Sequence, residues 1–198
     1  MRKNLFNLFV IIFVTIFCSL GTWQLYRLQW KLNLINEINL GLESKPIPYV
    51  ETVTNNYQRV IIKGKLDFNK QIYLYSLNEK GQPGYDVITP LNTNLKNDIL
   101  VNRGWIMKEK KNNKDINNFN SKEFSGILKK IEKANIFKPK NDLDNNIWFS
   151  INLNDVRKFT GKDFINYVLY LEKNDVLSPI PRKITSDLPN NHLKYAIT

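Results

Sequence analysis

The sequence has one cysteine, one histidine and two methionines among 198 residues. The lone Cys18 cannot close an intramolecular disulfide, and the absence of any later thiol suits an oxidising compartment. Bulky Phe17 precedes it where lipid attachment after a signal peptide needs a small residue, so Cys18 reads as membrane-buried filler. No CxxC, HExxH, phosphate-cradling glycine loop or GxSxG occurs. One histidine, with no thiol after Cys18, argues against Cys–His and Ser–His triads. Asp67, Asp86 and Asp98 stand singly near strand ends, where turn-making is the default role. No catalytic residues are expected, and the chain is not expected to be an enzyme.

Charge is present but one-sided, at +11 from 29 basic and 18 acidic residues. A nucleic acid or an anionic membrane would suit that balance. Lys, Asn and Ile dominate throughout, however, and no finger, helix-turn-helix or stacking motif accompanies the charge, so no nucleic-acid partner is expected. With 42% hydrophobic and 12% aromatic residues, the chain can build a core.

After Arg2 and Lys3, LFNLFVIIFVTIFCSLGTWQLY runs uncharged as far as Arg27. Residues 5–25 are about long enough to cross a bilayer as a helix of ~20 residues. A cleavable signal peptide is the rival, but it needs a shorter apolar core and a better small-x-small exit than Ser19-Leu20-Gly21. An uncleaved anchor is expected, with membrane lipid as its surroundings. Arg2 and Lys3 on one side nearly balance Arg27 and Lys31 on the other, so the charges leave orientation open. Leu25, Leu28, Leu32 and Ile35 continue the helical spacing past the span, until Pro46 and Pro48 stop it. Trp23, Arg27 and Trp30 share one stripe, either an interfacial belt with a snorkelling cation or a docking face for a membrane partner.

From Tyr57 onward the pattern changes to short runs rich in β-branched and aromatic residues, bounded by Asn, Gly, Asp and Lys. YQRVIIKGKLD, QIYLYS, GYDVITPL and DILVNRGW read as strands of an antiparallel meander. Residues 124–133, 147–151 and 164–171 read as further strands, and 108–122 as a solvated, mobile loop. Asn152 or Asn154 could cap a short helix over 155–159, ending at Gly161. The expected fold is α+β or mostly β: an N-terminal transmembrane helix, then an antiparallel sheet or partly open barrel with one short helix. Pro83-Gly84-Tyr85 reads as a sharp strand start, with Gly84 at a turn position closed to other residues. Gly104 in Asn102-Arg103-Gly104-Trp105 reads as a bulge, as a structural corner before a ligand contact.

Four stretches, GTWQLYRLQWK (21–31), GQPGYDVITPL (81–91), ILVNRGW (99–105) and NNHLKYAIT (190–198), occur in an order that resembles the Surfeit locus protein 1 family. That resemblance implies a membrane protein needed for cytochrome c oxidase assembly, with its N-terminus cytoplasmic and its main domain periplasmic. The lack of an Arg/Ser-rich presequence favours a bacterial inner membrane over an organelle. The resemblance also implies delivery or stabilisation of haem a for the largest oxidase subunit, with the haem a synthesis machinery as a further partner. His192 matches the histidine of the last motif, and neutral imidazole is a common axial ligand of haem iron. Arg27 and Trp23 are candidates for meeting the macrocycle or the client subunit. The resulting layout is a tail (1–4), a span (5–25), a juxtamembrane helix (26–45), a strand-rich domain (46–189) and the beginning of a second membrane segment (190–198). Two passes are expected for the family, and the stop at Thr198 reads as truncation or loss of the second helix. The alternative function is a structural module that stabilises an oxidase intermediate without touching haem.

Overall fold

The computed structural model describes residues 2–52, 55–111, 113–117, 121–133, 135–172 and 178–186. The chain divides into two units, Met1–Leu40 with Thr185–Thr198, and Gly41–Ile184.

Helix α1 runs unbroken over Arg2–Glu43, so the expected span and its continuation form one element. Its most apolar 18-residue window has a mean hydropathy of 2.3, which makes it long and apolar enough to cross a membrane. The hydroxyls within it are satisfied internally. Thr15 donates to the Ile11 carbonyl at 2.8 Å, Ser19 to Thr15 at 2.8 Å and Thr22 to Cys18 at 2.9 Å. Such back-bonding removes the penalty a polar group would incur in hydrocarbon. Cys18 faces outward from the helix.

The second unit is an eight-stranded sheet: β1 (Ile47–Pro48), β2 (Arg59–Lys63), β3 (Lys65–Leu66), β4 (Ile72–Leu77), β5 (Pro83–Asn92), β6 (Asp98–Met107), β7 (Glu123–Lys130) and β8 (Phe164–Leu171). Its order is β1-β2-β7-β8-β6-β5-β3, with β4 also paired to β5, and the sheet is not closed. The strands β4, β5 and β6 form the expected antiparallel meander. The sheet as a whole is mixed, because β8 lies parallel to β6 and β1 parallel to β2. Inserting β8 between β6 and β7 requires a crossover, and α2 (Leu153–Thr160) lies on it just before β8. This helix has the caps expected of it. Asn152 accepts from the Asn154 amide at its start, and Gly161 ends it at φ +78°.

Both faces of the central strands are covered, which is why β5 and β6 are buried almost without alternation. Val60, Leu91, Ile99, Val101, Leu128, Leu169 and Leu171 pack on one face. Leu100 and Val168, of opposite parity, turn to the other, where Trp148, Val156 and Ile72 meet them. Burial of each such side chain is worth about 1.5–3 kcal/mol.

Two sequence expectations change here. Residues 147–151 form isolated bridges rather than a strand, with Trp148 beside Leu74 and Ile147 beside Asp142. Trp148 is fully buried and its indole donates to Asn146 Oδ1 at 2.8 Å, so the segment is held by that side chain together with short backbone bridges to Tyr73, Tyr75 and Asp142 rather than by an extended ladder. The Lys-rich loop after β6 is partly docked. Its described residues include 3-10 turns at Lys108–Lys110 and Lys114–Asn117, and Ile116 is buried against Tyr85, Val87 and Ile106. One buried apolar residue, whose carbonyl also accepts from Arg103, docks a stretch that composition marks as solvated.

Candidate functional site

The indole–guanidinium stripe forms as the spacing requires. Positions 23, 27 and 30 fall on one side of α1, and the Arg27 guanidinium carbon lies 5.7 Å from the Trp23 ring centre and 5.9 Å from that of Trp30. Both indoles are half-exposed, and Arg27 is exposed between them. Planar cations over aromatic faces are worth about 0.5–1 kcal/mol where solvent reaches them. The face therefore presents two flat π surfaces and an ordered donor fork capable of meeting a carboxylate or phosphate. His192, the expected iron ligand, lies outside the described residues. Among those residues no cluster of three or more His, Cys, Asp or Glu is placed to hold a metal ion.

In the sheet, the Asn102-Arg103-Gly104-Trp105 motif is a β-bulge. Asp86 pairs with Trp105 and Ile88 with Asn102, leaving Arg103 and Gly104 opposite the single Val87. The bulge turns Arg103 fully inward. Its Nε donates to Thr89 Oγ1 at 3.0 Å, Nη1 to the Ile116 carbonyl at 2.6 Å, and Nη2 to Gln71 Oε1. Its guanidinium also lies 5.0 Å from the ring centre of Phe68. Burial lowers its pKa to about 10, so it remains charged at neutral pH.

Gly104, at φ +126°, receives the chain that follows β8. A Cβ there would stand 2.2 Å from the Ile180 carbonyl oxygen. Trp105 and Ile180 exchange two backbone hydrogen bonds, at 2.7 and 2.9 Å. Arg182 then closes the junction. Its Nε donates to Asp86 Oδ1 at 2.6 Å, and its Nη2 to Ser76 Oγ at 2.9 Å and to the Leu77 carbonyl at 2.8 Å. Asp86, expected at a turn, sits instead within β5 at 8% exposure, because both neighbouring strands cover it. Burial raises its pKa against the opposing pull of Arg182. Tyr170 is pushed up to about 12, by burial first and by the Asp86 charge second. Asn102 Oδ1 accepts from the Gly104 amide at 2.9 Å, while its buried Nδ2, beside Asp86 and Tyr170, has no hydrogen bond of good geometry. Asp67 and Asp98 keep the expected turn roles, accepting from the amides of Asn69 and Thr93.

Gly84 is required for a different reason from the expected one. It lies inside β5, directly after Pro83, and a Cβ would fall 2.2 Å from the Ile106 carbonyl and 2.6 Å from the Trp105 ring. The Pro-Gly-Tyr and Asn-Arg-Gly-Trp motifs therefore meet at one corner, where Trp105 packs over Gly84 and its indole donates to the Ser76 carbonyl at 3.3 Å. The partnership of Asp86 with Arg182 escaped the sequence, because 96 residues separate them and Arg182 lies outside every motif singled out there.

The profile of the SURF1 family matches residues 11–198. A "SURF1-like protein" of Rickettsia conorii is 34% identical over 201 residues, covering 97% of this chain and 84% of that protein. "Surfeit locus protein 1" of Gallus gallus is 31% identical, covering 93% of this chain and 67% of that protein. The human protein of the same name is 28% identical over 91% of this chain. The matched span includes α1 from Ile11 onward, the whole sheet and the bulge, and on this ground the chain belongs to the SURF1 family.

Proposed function

We propose that the protein is a membrane-anchored, non-enzymatic assembly factor for cytochrome c oxidase that assists delivery of haem a to the largest oxidase subunit. The observation carrying this reading is the family match along almost the whole chain, joined to a helix able to cross a membrane. In this reading α1 anchors the chain in a bacterial inner membrane, with its N-terminus cytoplasmic and the sheet domain periplasmic. The chemistry of the residues suits haem a. Bound there, the group would supply an iron with an open position for a neutral imidazole, that of His192. Arg27 would supply a cation for a propionate and Trp23 an aromatic surface for the macrocycle, roles supported by the exposure of the indole–guanidinium stripe. The largest oxidase subunit and the haem a synthesis machinery are the partners this reading assigns.

The test is absorption spectroscopy of the full chain purified in detergent from cells that make haem a. The expected outcome is a haem band that is lost in His192→Ala and weakened in Arg27→Gln. A second reading, a structural module that stabilises an oxidase intermediate, is favoured by the density of purely structural contacts at the bulge. It takes precedence if the oxidase subunit copurifies without haem and His192→Ala changes nothing.

A further inference from the structure

The loop between β7 and α2 carries an exposed apolar pair that the core does not use. Ile136 is 89% exposed and Phe137 86%, more than any large apolar side chain on the described part of α1. They are not on a frayed end. The Asn135 side chain accepts from the Phe137 amide at 3.0 Å and its carbonyl from the Lys138 amide at 3.0 Å, which fixes a tight turn with the pair at its apex. Holding two large apolar side chains in water on an ordered turn has a cost in free energy, and the sheet interior offers them nothing in return.

Beside this turn lies a recess of about 360 Å³ whose rim is basic. Lys129, Lys130, Lys133 and Lys138 line it, with Ser150 as a neutral donor and Glu132 as the carboxylate among its lining residues. Glu132 lies 3.6 Å from Lys129 Nζ and offsets part of one charge. Lys140 follows two residues after Lys138. An apolar tip next to a cluster of lysines is the chemical pattern of an anionic lipid surface. Alkyl and aryl groups enter the acyl boundary while ammonium groups meet the phosphates. The sequence leads directly from a helix able to cross a membrane into this domain, so the anchoring proposed above would tether the domain to a bilayer.

We infer that the turn at residues 135–138, with the lysine-lined recess beside it, is a second membrane contact, in which Ile136 and Phe137 enter the interface and the recess takes the phosphate headgroup of an anionic phospholipid. The contact is independent of haem binding. It would restrict how the domain stands on the membrane, fixing by two points what a single helix leaves free to rotate.

The experiment uses the full chain carrying Cys18→Ser and Phe137→Cys, labelled at the new thiol with a polarity-sensitive NBD fluorophore. The protein is reconstituted into vesicles of phosphatidylcholine alone, or with about one-third phosphatidylglycerol to supply a negative surface potential. The expected result is blue-shifted, brighter emission in the anionic vesicles, quenched by lipid carrying a nitroxide near its headgroup and reversed by high salt. Adding Lys130→Gln, Lys133→Gln and Lys138→Gln should lower the surface-bound population about a hundredfold, at about fivefold per lysine. The label is itself apolar, so the deciding readout is the dependence of emission on the lysines and on lipid charge. Water-like emission in both vesicles overturns the inference and leaves the recess to an acidic protein instead. A blue shift equal in both vesicles and indifferent to the lysine substitutions overturns the headgroup assignment.

Discussion

At the scale of the residue, Arg103 shows how the tertiary environment changes what a basic side chain does. Most of the chain's basic residues are exposed, but Arg103 is fully enclosed and fans its donors to Gln71, Thr89 and Ile116. The three acceptors come from three separate stretches, so the guanidinium ties β4's approach, β5 and the Lys-rich loop together. Arg103→Leu would leave those oxygens buried without their donors, and should cost roughly 3–5 kcal/mol of domain stability. Arg103→Lys keeps the charge but replaces a planar fork with a point donor, and should lose less. Thermal unfolding of the detergent-solubilised protein followed by circular dichroism checks both, with Leu falling below Lys and both below wild type. Asn102, Arg103 and Trp105 are visible in the sequence as a motif. The bulge and corner at Gly104 were legible from that motif, whereas the inward tie made by Arg103 follows only from the pairing of β5 with β6 and the partners the fold brings to it.

At the scale of the element, α1 is the most legible part of the chain, because an uninterrupted apolar run reports its environment without help from any partner. Phe9→Arg together with Phe13→Arg places two cations within the apolar window and should cost about 6–7 kcal/mol of insertion free energy. The doubly substituted protein should appear in the alkaline-carbonate supernatant, whereas the wild type stays with the membrane pellet. The strand β8, FINYVLYL, is equally legible from its run of β-branched and aromatic residues, and its bounds agree with the sequence. The segment 147–151 misleads because it contains the same residue types. Its strand-like composition serves to seat Trp148 in the second core face, and periodicity over five residues cannot distinguish the two uses.

At the scale of the whole molecule, the junction of residues 178–182, the strap that follows β8, with the sheet couples stability to pH through Asp86. Its carboxyl has a raised pKa in the folded state, chiefly from burial. A carboxyl of that kind binds its proton more tightly when folded. Its contribution to stability is complete below the unfolded carboxylate range and is lost as the pH rises through the folded value. Asp86→Asn abolishes that titration, so the stability of wild type minus variant should fall as the pH rises above the ordinary carboxylate range near about 4. Urea unfolding midpoints of the two proteins across that range provide the check, and a difference that grows with pH would contradict the assignment. The Arg182 contacts to Ser76 and Leu77 persist in the variant, so the strap should stay docked on β6.

Short-range pattern along the chain was sufficient for the membrane-capable helix, the strand-rich domain with its capped short helix, and the family. Each depends on residues close together in the chain or on motifs in order: an apolar run, alternation within a strand, Asn152 and Gly161 around α2. The tertiary structure alone decided that β8 runs parallel to β6, that Asp86 closes an ion pair with Arg182 rather than a turn, and that Ile116 docks a loop composed mainly of Lys and Asn. It also decided that Ile136 and Phe137 stay outside the core, although their composition would place them within it. The physical reason is the same in each case. Local propensity acts over a few residues, whereas burial and ion pairing depend on which distant segments the sheet brings together, and no short-range pattern encodes that choice.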